Sequence, residues 1–311
     1  MGAGRTYHVY GLQLDSAWPL PYPDQGAPGL ARVSLRRGSA KRFVNALGDT
    51  HVPVSGAWAS AALADGWRYL RWSSIFEFLI QPDGRSVLCR PMYDGAVEAF
   101  HTHLGPSLSF ALINLGIEPL HSTTVMVEGG AVALMGDCGY GKSSLGATFV
   151  RAGHALLTDD LLVLKRESEG FIAYPGAPRL KLFPEIAKVI FGPRVRGLRL
   201  ERLTPKIIIP LTGTRAQQTP VPLKAIYMLT PPRSRHTRRG VTIRRLSPRR
   251  AFLELVRSTF NMAVTEPDRL ERQFRLASDL ALAVPVKTLS YPRKLSMLAA
   301  ARKAILADLQ G

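Results

Sequence analysis

The sequence predicts an α/β protein, with α+β elements, in which a β-rich region over residues 1–105 precedes a domain over 106–311 built around a phosphate-binding loop. Three observations carry that prediction. Short strand-like runs separated by Gly, Pro and Asp clusters fill the first third. Longer strand and helix patterns alternate from about residue 106 onward. Between one such strand and one such helix stands GDCGYGKS, Gly136 to Ser143, with the spacing Gly, four residues, Gly-Lys-Ser.

In the first region, YHVYGLQL at 7–14 reads as one β-run, and 16–29 is too rich in Pro and Gly for regular structure. IFEFLI at 75–80 and RSVLCR at 85–90 flank Pro82, Asp83 and Gly84 and read as a hairpin. LSFALINLGIEPL suggests a short helix stopped near Gly116 and Pro119. STTVMVEGGAVALM reads as two strands joined by a tight Gly129-Gly130 turn. KSSLGATFVRAG is helical and ends at Gly153, a glycine of the kind that closes helices. ALLTDD and LLVLK read as one interrupted strand. Runs at 171–174, 206–211, 223–229 and 241–245 read as β, and 251–262, 267–281 and 293–309 as helical.

With 311 residues, 46% hydrophobic and 21% charged, the chain is expected to be globular. It contains no apolar run of membrane-spanning length, and its opening residues do not read as a cleavable leader, so a cytoplasmic protein without a membrane span is expected. Two cysteines, Cys89 and Cys138, are too few for a disulfide framework or a zinc site. The formal charge of +18 is of the kind that attracts nucleic acid, anionic membrane or an acidic partner. Its densest cluster, however, reads first as a solvated basic loop and second as a contact for an acidic peptide or nucleotide. That cluster is PPRSRHTRRGVTIRRLSPRR at 231–250, where a loop leads into a strand and then a helix. Nucleic acid is disfavoured as a partner, because neither an RNA-binding aromatic signature nor a helix-turn-helix pattern accompanies the charge.

Glycines in the loop let successive amides point at phosphate oxygens, and the following helix offers its positive N-terminus. Gly136, Asp137, Cys138, Gly139, Tyr140, Gly141, Lys142, Ser143 and Ser144 are therefore the expected nucleotide-binding residues. Lys142 reaches the β- and γ-phosphates in such a loop, and Ser143 supplies a hydroxyl ligand to magnesium. A Gly129-Gly130 turn places His121 opposite Cys138, hence beside the loop. A strand, helix, strand crossover returns ALLTDD parallel to AVALM and brings Asp159 and Asp160 to the loop's end of the sheet. Adjacent strand residues point to opposite faces, so the pair can serve one site only where the strand ends or bends.

LHSTTVMVEGGAVALMGDCGYGKSSLGATFVRAGHALLTDDLLVL, residues 120–164, resembles the core of the bacterial HPr kinase/phosphorylase family, whose nucleotide domain resembles that of phosphoenolpyruvate carboxykinase. The resemblance rests on the loop, the Arg-Ala-Gly-His stretch at 151–154, the Asp-Asp pair and the spacing back to His121. It implies a serine kinase using ATP and Mg2+, with Asp159 as general base, Asp160 with Ser143 at the metal and His121 assisting the base. The family's second signature, a Gly- and Ile-rich segment with an acidic metal ligand, is missing. APRLKLFPEIAKVIFG stands in its place, where Glu185 is a weak substitute and Arg179 and Lys181 are candidate substrate contacts. YHVYGLQLDSAWPLP and AYPGAPRLKLFPE resemble HPr-kinase-like proteins of lasso peptide biosynthetic clusters, which implies a precursor-peptide serine as acceptor. A peptide or small protein and a nucleotide are the expected partners. The oligomeric state is left open, a homo-oligomer included, as are a regulatory HPr-like role and a nucleotide sensor that transfers nothing.

Overall fold

The computed structural model describes residues 4–26, 28–52, 58–72, 75–198, 205–232, 240–261 and 264–311. They form a mixed α/β structure of two compact units that divide between Ile117 and Glu118.

The first unit is a seven-stranded sheet in the order β1-β2-β3-β7-β6-β5-β4. The run at 7–14 is a hairpin rather than one strand. β1 (Arg5–Val9) and β2 (Leu12–Ser16) pair with Val9 opposite Leu12, because Tyr10 and Gly11 take φ of 55° and 73° and turn the chain. Tyrosine is no turn signal, so the sequence pattern ran straight through it. β3 (Ala31–Arg37) lies between β2 and β7 and parallel to both. The expected hairpin is β6 (Phe76–Ile80) with β7 (Ser86–Pro91), and β5 (Arg68–Trp72) and β4 (Trp58–Ala62) extend the sheet antiparallel. Helix α1 (Ala40–Leu47) buries Phe43. Helix α2 (Phe100–Asn114) starts well before the expected helix and runs through Pro106, across residue 105. An interior proline costs about 3 kcal/mol. Burial of Phe100, Leu104, Leu108, Ala111 and Leu112, with Phe100 stacked on Phe76 at 4.7 Å, offsets it.

The second unit is a sheet in the order β11-β10-β8-β9-β14-β16-β15. Its centre is parallel: β9 (Gly130–Met135), β14 (Val221–Leu229) and β16 (Val286–Ser290) run in one direction. The flanks, β8 (Leu120–Val127), β10 (Leu156–Glu167), β11 (Gly170–Tyr174) and β15 (Thr242–Arg245), pair antiparallel. The edge strand β11 also pairs with the start of β14, Ala173 opposite Val221, so the sheet curls on itself. β16 is absent from the sequence prediction: VKTLS is short and only partly apolar. The basic stretch at 231–250 delivers the expected strand and helix, β15 and α5 (Pro248–Arg257), while residues 233–239 lie outside the described residues.

Every side chain of β9 is buried, and this explains its unbroken apolar run. Val132 and Leu134 meet a core with Leu145 and Phe149 of α3 (Lys142–Arg151), Ala187 of α4 (Pro184–Phe191) and Ala301 and Ile305 of α7 (Leu298–Gln310). Ala131, Ala133 and Met135 meet the other core, with Ala251 and Leu255 of α5 and Ala277 and Leu280 of α6 (Pro267–Ala283). Helices thus cover both faces. Among the described residues no helix is long and apolar enough to cross a membrane.

The chain after α5 is pinned beneath β8 by a buried guanidinium. Arg269 donates through Nε to Glu118 at 3.0 Å and through Nη1 to the carbonyls of Asn261 and Val264 at 2.6 and 2.8 Å. Nη2 donates to the Phe260 carbonyl at 2.5 Å. Loss of one partner from a buried, hydrogen-bonded ion pair costs about 3–5 kcal/mol. Arg269→Met is therefore expected to lower the unfolding free energy by about 3 kcal/mol or more in urea denaturation; a loss below about 1 kcal/mol would show that this staple carries no weight.

Candidate active site

The glycine-rich loop begins where β9 ends. Gly136, Gly139 and Gly141 have φ of 128°, 82° and 88°. At Gly136 a Cβ would also lie 3.0 Å from the Leu229 carbonyl oxygen. Gly141 leads directly into α3, and among the described residues no side chain caps that helix end. The first amides of α3 therefore face outward with the positive end of the helix dipole behind them. Lys142 is folded back over the loop, its Nζ donating to the carbonyls of Gly136 at 2.7 Å and Asp137 at 3.1 Å. Burial lowers its pKa. An anion on the loop would offer this ammonium a charged partner in place of two carbonyls.

β8 and β9 bring His121 to the loop with a different register from the one expected. The turn residues are Glu128 and Gly129, at φ of 48° and 78°, and Gly130 is the first strand residue, opposite Val127. The pairing ends with Ser122 opposite Met135, one step before His121 and Gly136, so His121 faces Gly136 rather than Cys138. Gly130 is a strand glycine for a packing reason: a Cβ there would lie 2.6 Å from Cγ of Lys224. The crossover through α3 makes β10 parallel to β9, with β8 between them.

Asp159 and Asp160 lie within β10, opposite Thr123 and Ser122. The strand continues past them but bends: Asp160 has φ of 91°, and the Thr158 hydroxyl donates to the Leu161 carbonyl at 2.6 Å. Asp159 is fully buried and accepts at Oδ1 from Thr123 Oγ1 at 2.6 Å and Ser143 Oγ at 3.0 Å. Its Oδ2 accepts from the Lys181 amide at 3.0 Å. Burial, and then the Asp160 carboxylate, raise the Asp159 pKa. Asp160 is 22% exposed and paired with Lys181 Nζ at 2.6 Å and Arg179 Nη1 at 3.5 Å. Burial alone would raise its pKa, but these two cations outweigh it and hold the carboxyl well below the usual range.

No motif in the sequence marks Thr123. It lies two residues from His121, on the same face of β8. Gly146 of α3 makes room for it, since a Cβ there would lie 2.5 Å from Cγ2 of Thr123.

Arg179 and Lys181 share a face of β12 (Arg179–Leu182), as expected, but that face meets Asp160, and Arg179 is 3% exposed. Glu185 is exposed in the first turn of α4 and does not line the cleft beside the loop. That cleft, about 610 Å3 with its open mouth included, is lined by His121, Cys138, Gly139, Gly141 and Lys142 to Ser144. Asp160, Lys181, Leu182, Phe183, Ile186 and Lys206 complete it. Gly136, Asp137, Tyr140, Asp159 and Arg179 are not among its lining.

Among the described residues, no cluster of three or more His, Cys, Asp or Glu could hold a metal ion alone. Magnesium bound with a phosphate chain needs only one or two protein oxygens. Ser143, which lines the cleft, and the Asp159 carboxylate to which its hydroxyl donates at 3.0 Å are hard oxygen donors of the kind magnesium takes.

No protein-family model matches the chain. It is 31% identical over 98 residues to an HPr kinase/phosphorylase of Prosthecochloris aestuarii, a match covering 29% of this chain and 28% of that protein. Among solved structures, it is similar to the Hpr(Ser) kinase/phosphatase from Coxiella burnetii at 13% identity and a TM-score of 0.34, covering 62% of this chain and 99% of that one.

Burial and then the Lys142 ammonium lower the His121 pKa to about 4, against about 6.5 in an unfolded chain. Between these values the unfolded chain holds a proton that the native protein lacks, so stability falls as pH drops from about 6.5 to 4. His121→Asn is expected to lose less stability than the parent over that window, by up to about 1.4 kcal/mol per pH unit. Parallel stability curves from urea melts at stepped pH would contradict it.

Proposed function

We propose that this protein is an ATP- and Mg2+-dependent serine kinase acting on a peptide or small protein. The observation that carries the reading is the convergence of two carboxylates from one bent strand on a glycine-rich loop. Asp159 meets the hydroxyl of Ser143, and Asp160 enters the cleft. The partial similarity to an HPr kinase/phosphorylase supports phosphoryl transfer over simple hydrolysis.

In this reading the loop amides and Lys142 hold the phosphate chain. Ser143 and Asp159 would hold Mg2+, which would supply charge neutralisation at the transferred group. We assign the two aspartates the other way round from the family resemblance, a reading supported by the contact of Asp159 with Ser143 and the place of Asp160 in the cleft lining. Asp160 orients the acceptor serine and takes its proton as the serine oxygen bonds to the γ-phosphorus. The bond from that phosphorus to the β,γ-bridging oxygen breaks, and ADP leaves. Lys181 and Arg179 hold the Asp160 carboxylate in place. Neutral His121 beside it assists without adding charge at physiological pH.

The acceptor we favour is a serine of a ribosomal precursor peptide of the lasso type. The basic chain suits an acidic or extended peptide, and the N-terminal resemblance points the same way. A regulatory kinase of an HPr-like protein is the alternative acceptor assignment. A nucleotide sensor is the second reading, favoured by the ion pairs that engage Asp160 and by the exposed position of Glu185.

Intact-mass measurement of a candidate acceptor after incubation with ATP and Mg2+ tests the proposal. The parent protein is expected to add one phosphoryl group, and Asp160→Asn to slow this roughly 10²–10⁴-fold while still binding ATP. Lys142→Ala is expected to weaken ATP binding about tenfold or more. Retained ATP binding with every acceptor unchanged in mass would favour the sensor.

A further inference from the structure

One wall of the cleft comes from residues to which phosphate binding and proton transfer assign no task. β12 and β13 (Ile207–Pro210) form a two-stranded ribbon in which Leu182 lies opposite Ile207. One step further, the ribbon sets Lys206 across from Phe183, and the Lys206 ammonium lies 5.4 Å from the centre of the Phe183 ring. Both residues line the cleft with the loop. The Asp159 carboxylate ties this ribbon to the sheet by accepting from the Lys181 amide.

Among the described residues, three lysines line the cleft. Lys142 lies on loop carbonyls, and Lys181 is ion-paired with Asp160. The Lys206 ammonium lies over the aromatic face of Phe183. Its charge is felt at both Lys142 and His121, so it lies within electrostatic range of the loop lysine and of the acceptor side.

We propose that Lys206 is a further catalytic residue, whose ammonium binds the transferred phosphoryl group from the β12–β13 side of the cleft. This rests on the kinase reading above. During transfer, negative charge is spread over the equatorial oxygens of the moving group, and fixed cations aimed there lower the barrier. The loop approaches the phosphate chain from α3. Lys206 completes the cage from the other wall, forming no covalent bond and moving no proton.

The test uses ADP with aluminium fluoride and Mg2+ as a stand-in for the moving phosphoryl group, with binding measured by calorimetry on the full chain. The parent protein is expected to prefer ADP with aluminium fluoride over ADP alone. Lys206→Met is expected to reduce that preference about tenfold, with ADP affinity changed less than about twofold, and Lys206→Arg to restore most of it. Turnover of Lys206→Met is expected to fall about 10²–10³-fold. An undiminished preference in Lys206→Met overturns the inference, as does an equal loss of affinity for ADP itself. A loss confined to acceptor KM would reassign Lys206 to acceptor binding and overturn it too. A parent protein that binds no ADP would instead sink the nucleotide reading, and this inference with it.

Discussion

Strand β10 carries two adjacent carboxylates past the loop end of β9, and an unbroken strand would send them to opposite faces of the sheet. The bend at Asp160 prevents this, with a non-glycine residue at φ of 91°. Such a backbone costs about 1–3 kcal/mol and persists only where its surroundings hold it. Here they do. Thr158 closes the bend on the Leu161 carbonyl, Arg179 and Lys181 clamp the Asp160 carboxylate, and Thr123, Ser143 and the Lys181 amide clamp Asp159. β12 is thereby fixed to the sheet, and with it the wall that carries Phe183 and Lys206.

The same packing sets the electrostatics. Asp159 sits in a site where burial and its neighbour both favour the proton, so hydrogen bonds and a nearby cation are what resist that shift. Asp160 experiences burial as well, but two cations dominate. One strand thus presents a buried carboxylate to the loop hydroxyl and a strongly anionic one to the cleft. His121 is neutral for a complementary reason: burial disfavours its charged form first, and the Lys142 ammonium then opposes protonation more than Asp160 favours it.

Much of this core was legible in the sequence, since local chemistry dictates it. The glycines of the loop, the apolar run of β9 and the helical pattern of α3 are fixed by short-range rules, and the crossover handedness then places β10. The β8–β9 register differs from the expected one by one turn position. Glycine at 130 signals a turn, and only the approach of Lys224 on a distant strand shows that its small size serves packing. The Tyr10 turn and the start of α2 upstream of the expected helix, through Pro106, are not legible in local pattern, because tertiary burial overrides local preference. Thr123 and Lys206 reach the site through strand pairings separated widely in sequence, which no local pattern encodes. The sequence also could not say which aspartate faces which partner, since a bend reverses what alternation predicts.

That division of labour between the aspartates is the central claim, and the metal dependence of ATP binding tests it most directly. Calorimetric titration of ATP with and without Mg2+ should show that Asp159→Asn loses most of the affinity that Mg2+ adds, while Asp160→Asn keeps it. The opposite pattern, with Mg2+ enhancement lost in Asp160→Asn and retained in Asp159→Asn, would contradict the account.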